Sequence, residues 1–336
     1  MKSATIHFTG PGKVEISEEE VQPPAPGEVL IEADKSLLSS GTESICLHRL
    51  FEPGTHWDEW VKYPFRAGYS HVGRIVEMGP QVKGWKSGDR VFSTCYHGKY
   101  VAAECHDLVS IPEAVDSECA TWTDIAKTVQ AGVRRAEPKL GDNTAVIGLG
   151  PLGQLAIRYL HLLGPRELIA IDPLDWRLEL AREGGATRLV AANASEALLA
   201  VEEHTGGHLA DAVYDITGNC EVLPSALKLV RTLGTLSLVG DTGYVSKQHL
   251  SIDVLRRGLK IVGTHASTPP LEASDHTPWS DHTMKELFLH YLVRGDMSVK
   301  DLITHRFPPS QAAKAYGLAR EKEERVLGVV FDWSGV

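Results

Sequence analysis

The run Gly148-Leu149-Gly150-Pro151-Leu152-Gly153 constrains this chain more than any other. It follows the apolar stretch Ala145-Val146-Ile147 and opens a segment, Leu152 to Leu163, with helical periodicity. Gly148 permits a tight turn, Gly150 lets the backbone approach a pyrophosphate, and Gly153 lets helix and strand pack closely. Pro151 and Leu152 begin the helix, whose N-terminal N–H groups and dipole suit phosphate. Such a run alone is weak. Here the next strand, Leu168-Ile169-Ala170-Ile171, leads to Asp172, which lies 19 residues beyond Gly153. That is near the usual offset of about 20 for a ribose-binding acid. The carboxylate would accept hydrogen bonds from both ribose hydroxyls and repel the 2′-phosphate of NADP, so NAD is the expected cofactor. Arg177 either stacks on adenine or is a solvated helix residue.

From Asp142 to about residue 265 strands and helices alternate, with Asp175 to Glu183 as the next helix and Ala212–Asp215 and Thr235–Val239 as later strands. This is the pattern of a parallel sheet covered by helices. Residues 1 to about 120 read differently, as short apolar runs bounded by Pro and Gly, hence β-rich. The tail from Ala312 to Arg320 reads as helix, and Arg325 to Phe331 as strand.

Composition excludes some partners. The chain has 336 residues, a net charge of −10 and no Lys/Arg block, which argues against nucleic acid. No apolar run of about 18 residues exists, so no membrane span is expected. The start, Met1 to Ile6, reads as a first strand rather than a signal peptide. Five cysteines without a Cys-x-x-Cys pair fit reduced thiols of a cytoplasmic protein.

The segment Gly68-Tyr69-Ser70-His71-Val72-Gly73-Arg74-Ile75-Val76-Glu77-Met78-Gly79, with Gly88-Asp89-Arg90-Val91, resembles the medium-chain dehydrogenase/reductase superfamily. The resemblance implies a β-rich GroES-like catalytic domain (1–124 and 296–336, the tail folding back) and a Rossmann domain (125–295). It makes the ends of Asp215-Ile216-Thr217-Gly218-Asn219 and Leu238-Val239-Gly240 border the nicotinamide half of a cleft, with Thr217, Val239 and Gly240 as cofactor neighbours. Zinc members of the family carry Gly-His-Glu where this chain has Gly68-Tyr69-Ser70, and Cys-Gly-Thr-Asp where it has Ser40-Gly41-Thr42-Glu43. Of three expected zinc ligands only Asp124 keeps a suitable type, because a hydroxyl and a phenol bind Zn²⁺ poorly. The four-cysteine structural zinc lobe is also missing. No metal is therefore expected.

Without zinc, oxidising an alcohol needs a base or a relay of hydroxyls. Thr42 matches the family's relay hydroxyl, Tyr69 faces the substrate oxygen, and Asp124 or the phenol receives the proton. Lys127, one turn beyond Asp124, either tunes these groups or is a solvated surface lysine. His71 and His48 are read as structural; the relay-histidine spacing lands on Ile45. Ser40, Trp57 and Trp60 border the substrate, the tryptophans with Asp58 and Glu59 offering either a sugar platform or a packed loop. The stretch His265 to His282, with Pro269-Pro270, Trp279 and a further histidine, His276, matches no metal motif and reads as a surface or lid loop.

The expectation is a zinc-independent, NAD-dependent dehydrogenase for a small-molecule secondary alcohol, a sugar, polyol or other bulky hydroxylated compound, in a homodimer or homotetramer. The rivals are a hydroxyethyl-bacteriochlorophyllide-type dehydrogenase, a zinc-free quinone or enoyl reductase, and an NAD-binding redox sensor without turnover.

Overall fold

A computed structural model describes residues 1–319 and 325–336. The chain divides into two compact units, one of Met1–Asp124 with Leu271–Val336 and one of Ile125–Pro270.

The second unit is built on six strands, all paired in parallel. Their order across the sheet is Arg188–Val190, Glu167–Ile171, Asn143–Ile147, Ala210–Asp215, Val230–Leu238 and Lys260–Gly263. The central strands are continuous apolar runs because helices cover such sheets on both faces. Val146, Ile169 and Val213 are fully buried, each contributing about 1.5–3 kcal/mol relative to exposure. The chain first builds outward from Asn143–Ile147 on one side, then returns to add Ala210–Asp215 on the other. That reversal opens a crevice at the carboxyl ends of these two strands, where open α/β sheets take their ligands.

The first unit carries a seven-stranded mixed sheet and a three-stranded sheet. Its longest strand, Glu28–Leu38, pairs with His71–Met78, Tyr100–Glu104 and Gly328–Asp332. The tail thus returns to the first unit, as the resemblance implied, and Phe331 and Trp333 enter a core with Phe8, Leu38, Trp57 and Tyr316. The tail helix spans Ala312–Leu318; Arg320, its expected end, lies outside the described residues. Ser36 stands opposite His71 in the antiparallel pair. The residues just beyond these two strand ends, Ser39 and Tyr69, are brought together by that register.

One boundary differs from expectation. Residues 271–295, expected in the nucleotide domain, belong to the first unit. Helix Asp281–Arg294 buries Met284, Lys285, Phe288 and Leu289, and Lys285 meets Asp124 and Phe92 of that unit. The stretch from His265 contains this boundary and stays irregular up to the helix. No helix among the described residues is long and apolar enough to cross a membrane.

Candidate active site

The nucleotide turn has the geometry its glycines require. Gly148 has φ +86°, and a Cβ there would lie 2.9 Å from Thr217 Cγ2. A Cβ on Gly153 would lie 2.0 Å from the Gly148 carbonyl oxygen, so helix and turn touch through backbone alone. A Cβ on Gly150 would meet nothing within 4 Å, which leaves that side of the turn open. Pro151 begins helix Pro151–Leu162, where its missing N–H costs nothing. Leu152 follows in the first turn.

Asp172 does more than end a strand. It is buried, and its carboxylate accepts hydrogen bonds from Leu149 N (2.8 Å) and Leu174 N (2.9 Å). It therefore clamps the turn itself. Arg177 is not a freely solvated helix residue: its Nη1 lies 3.6 Å from Asp172 Oδ2 and its guanidinium 5.3 Å from the Trp176 ring centroid. Gln154, fully buried on helix Pro151–Leu162, was not expected here; its Nε2 donates to the carbonyls of Leu149 (3.3 Å) and Arg177 (2.8 Å). The available signal was a polar pair one turn apart, Gln154 and Arg158, in a helix that is otherwise largely apolar; both are buried, and Arg158 Nη1 donates to Gln154 O at 3.1 Å.

Across the crevice, Asp215 is held by Thr217, whose N–H and hydroxyl donate to Oδ1 at 3.0 and 2.7 Å. Burial raises the Asp215 carboxyl above its ordinary value, and the Thr217 bonds oppose the rise. Gly240 lets the two strand-end loops meet, since its Cβ would lie 2.4 Å from Gly218 N. Val239 does not present its side chain: it is buried and packed against Gly132.

The first unit holds a separate polar pocket. The Tyr69 phenol donates to Ser39 Oγ at 2.6 Å and lies 3.3 Å from Thr42 Oγ1 at the start of helix Thr42–His48. Ser39, next to the expected substrate-bordering Ser40, makes this contact. Burial pushes the phenol well above its ordinary value; the bonds to Ser39 and Thr42 oppose the shift, and the charges of Glu43 and Asp124 add to it. Tyr69 is therefore a protonated donor at neutral pH. That direction disfavours the alternative in which the phenol receives the proton.

Behind Tyr69 lies a network the sequence did not announce. Glu43, 1% exposed, accepts from Ser39 N at 2.8 Å and from the Tyr316 hydroxyl, and meets His97 Nε2 at 3.2 Å. His97 Nδ1 lies 2.8 Å from Ser36 Oγ, and that hydroxyl oxygen accepts from Trp333 Nε1 at 2.9 Å. Gly68, at φ +97°, makes room for this: a Cβ there would fall 2.6 Å from His97 Cδ2. Fully satisfied buried networks of this kind fix one arrangement of their members.

Asp124 is buried, and its Oδ1 lies 3.6 Å from Lys285 Nζ. Lys127 is buried too, donating to the Ala266 carbonyl at 2.8 Å, so the solvated-lysine reading is wrong. His71 is structural: it is fully buried, its Nε2 lies 3.2 Å from the Gly98 carbonyl oxygen, and burial lowers its pKa to about 4. Trp57 belongs to the core, and Asp58 is tied to Arg49 and to Gly54 N, so the two do not form a sugar platform. Of the four residues expected at that platform, Trp60 (49%) and Glu59 remain exposed.

These donors do not suit Zn²⁺, which takes thiolate, imidazole and carboxylate. The ligand positions carry the Ser40 hydroxyl, a phenol whose proton burial retains, and a carboxylate facing an ammonium.

Residues 25–129 match the alcohol dehydrogenase GroES-like domain, and residues 151–279 match the zinc-binding dehydrogenase family. A probable zinc-binding alcohol dehydrogenase of Mycobacterium tuberculosis is 30% identical over 305 residues, covering 79% of this chain and 75% of that one. D-guloside 3-dehydrogenase of Escherichia coli is 28% identical over 246 residues, 71% of this chain and 69% of the relative. A zinc-binding dehydrogenase of Sinorhizobium meliloti, solved bound to NADP, superposes with TM-score 0.83 at 17% identity, covering 99% of each chain.

Proposed function

The chain belongs to the medium-chain dehydrogenase/reductase superfamily of zinc-type alcohol dehydrogenases, and within it we propose a zinc-independent, NAD-preferring dehydrogenase for a secondary alcohol of a sugar or polyol. It is an oxidoreductase acting on alcohol donors with a nicotinamide dinucleotide. Gly148, Gly150, Pro151, Leu152 and Gly153 would hold the pyrophosphate at the helix N-terminus, and Asp172 the ribose hydroxyls. When bound in its oxidised form, the nicotinamide accepts a hydride from the carbinol carbon.

The chain's own residues handle the other half of the reaction. As the C–H bond breaks with both electrons leaving as hydride, the O–H bond breaks and its proton passes to Asp124, leaving a ketone. Tyr69, protonated, would turn its one O–H from Ser39 to the substrate oxygen, with the Ser39 hydroxyl donating to the phenol oxygen in its place, and Thr42 would relay the proton. The observation that carries this reading is the hydroxyl cluster of Tyr69 with Ser39 and Thr42, under the charge of Asp124, in which Tyr69 and Asp124 take positions where the family resemblance puts metal ligands. The sugar or polyol class is supported by the guloside-oxidising relative and by the exposed face of Trp60. Five free cysteines suit the cytoplasm.

The test is a screen of sugars, polyols and aryl alcohols with NAD and NADP, following NADH absorbance before and after exhaustive chelation. Turnover that survives chelation is expected, with well under one zinc per chain by elemental analysis. Activity lost to the chelator and restored by zinc would refute zinc independence. Tight NAD binding without turnover of any alcohol would favour the redox sensor.

A further inference from the structure

We propose that Tyr316 is a positioning residue for the reaction at Tyr69: its hydroxyl, delivered by the tail helix, sets the Glu43 carboxylate that holds Ser39 against the Tyr69 phenol. The proposal rests on the reading of Tyr69 as the donor to the substrate oxygen. Tyr316 lies on helix Ala312–Leu318 and is buried, its ring edge-on to Phe8 (centroids 5.1 Å apart) and tilted on Phe331 (6.0 Å). A phenylalanine would fill that aromatic site equally well. The hydroxyl is therefore the informative part, and it donates to Glu43 Oε2.

Glu43 is where the tail meets the pocket, and its two carboxylate oxygens have separate tasks. Oε1 accepts from Ser39 N at 2.8 Å, while the Glu43 N–H donates to the Ser39 carbonyl at 2.9 Å, so both main-chain groups of Ser39 are tied to one residue. Oε2 takes the Tyr316 hydroxyl and faces His97 Nε2 at 3.2 Å. The last torsion of a glutamate is broad and roughly two-fold, so a carboxylate held by one oxygen turns easily. Donors on the second oxygen stop that turn. With the carboxylate fixed, the Ser39 main chain is fixed, and its Oγ stays 2.6 Å from the Tyr69 phenol oxygen. That constancy matters because the phenol must turn its O–H to the substrate while the Ser39 hydroxyl donates back. The Ser39 oxygen has to keep its place as its hydrogen rotates. Pairing a buried carboxylate does not by itself call for Tyr316, since Ser39 N and His97 already face its two oxygens. A misplacement of about 1 Å near reacting groups lowers a rate by about 10²-fold, so losing one of these restraints should be visible in kcat.

Tyr316→Phe removes only the hydroxyl. With the alcohol turned over fastest in the substrate screen, kcat should fall about tenfold while KM and NAD affinity stay within about twofold of native. In the same variant the Ser39 amide, followed by hydrogen exchange, should exchange at least about tenfold faster, because its acceptor is no longer held. In the Tyr69→Phe background, Tyr316→Phe should lower kcat by less than about twofold, because its effect passes through Tyr69. The same tenfold loss in both backgrounds would mark a merely structural tyrosine and overturns the proposal, as does native kcat or unchanged Ser39 exchange in Tyr316→Phe. Should Tyr316→Phe fail to fold, Glu43→Gln keeps an acceptor for Ser39 N, withdraws the carboxylate from the Tyr316 hydroxyl and should show the same fall in kcat; retention within about twofold overturns the proposal. If Tyr69→Phe alone keeps native turnover, the reading of Tyr69 has failed and the proposal falls with it. If Tyr69→Phe is slow while Tyr316→Phe is native, only the role of Tyr316 has failed.

Discussion

Six consecutive residues make the nucleotide turn, whereas the pocket around Tyr69 draws on Ser39, Thr42, Glu43, His97, Asp124 and Lys285 from well-separated stretches of chain. In the turn, the proposed function rests on atoms that are missing: no Cβ on Gly148, Gly150 or Gly153. In the pocket, the proposed function rests on atoms that are present and held, such as the Tyr69 hydroxyl on Ser39 and the Glu43 carboxylate on His97. A site made by backbone approach tolerates almost no side chain. A site made by side-chain chemistry tolerates changes of size but not of polarity. The contrast teaches where each region is brittle.

The largest effect should come from adding bulk to the turn. Gly153→Val drives a side chain into the Gly148 carbonyl, 2.0 Å from where its Cβ must go. A loss of about 3 kcal/mol in urea-unfolding stability is expected, with NAD binding undetectable by titration calorimetry. Native binding in this variant would break the claim that the turn acts through absent atoms.

Tyr69→Phe makes the complementary change, keeping bulk and removing polarity. We expect kcat to fall by about 10²–10⁴ while NAD affinity and melting temperature stay near native. The native pH–rate profile sharpens the point. Burial raises the phenol above its ordinary value of 10.0, so Tyr69 keeps its proton through the neutral and mildly alkaline range. An alkaline limb centred near 10 that vanishes in Tyr69→Phe would contradict this. The same shift has a sign for stability: neutral Tyr69 stabilises the fold below pH 10, and the contribution is lost as pH rises toward the elevated value.

The smallest effect belongs to Asp172, where the two styles meet, a side chain serving a backbone turn. Purified protein should bind NAD at least about tenfold more tightly than NADP, and Asp172→Ala should weaken NAD and narrow that ratio. Equal affinities in the native protein would show that its carboxylate only clamps Leu149 and Leu174.

The same contrast explains what could be read from sequence. The parallel sheet and its glycine turn were legible because periodicity and glycine spacing are local. So was the return of the tail, through the family resemblance. The pocket was legible only at the positions the family motif marks, Thr42, Tyr69 and Asp124. Ser39 was missed because no motif marks it as a partner for Tyr69. Lys285 and His97 stayed hidden because nothing near them in the chain says which carboxylates they will meet. Lys127 and Trp57 misled in opposite directions: a lysine was buried on a carbonyl, and a tryptophan chosen for its face was spent on the core.

Gly68 also sets an order of events for the lineage that carries this fold. Any side chain at that position would collide with His97, and the backbone there already sits at φ +97°. A small residue could replace His97 while Gly68 stays, but no larger residue could replace Gly68 while His97 remains. The histidine must therefore leave first, and its departure unpairs a buried glutamate on the way. Evolution away from this pocket has one direction of entry, and the first step is its most unfavourable.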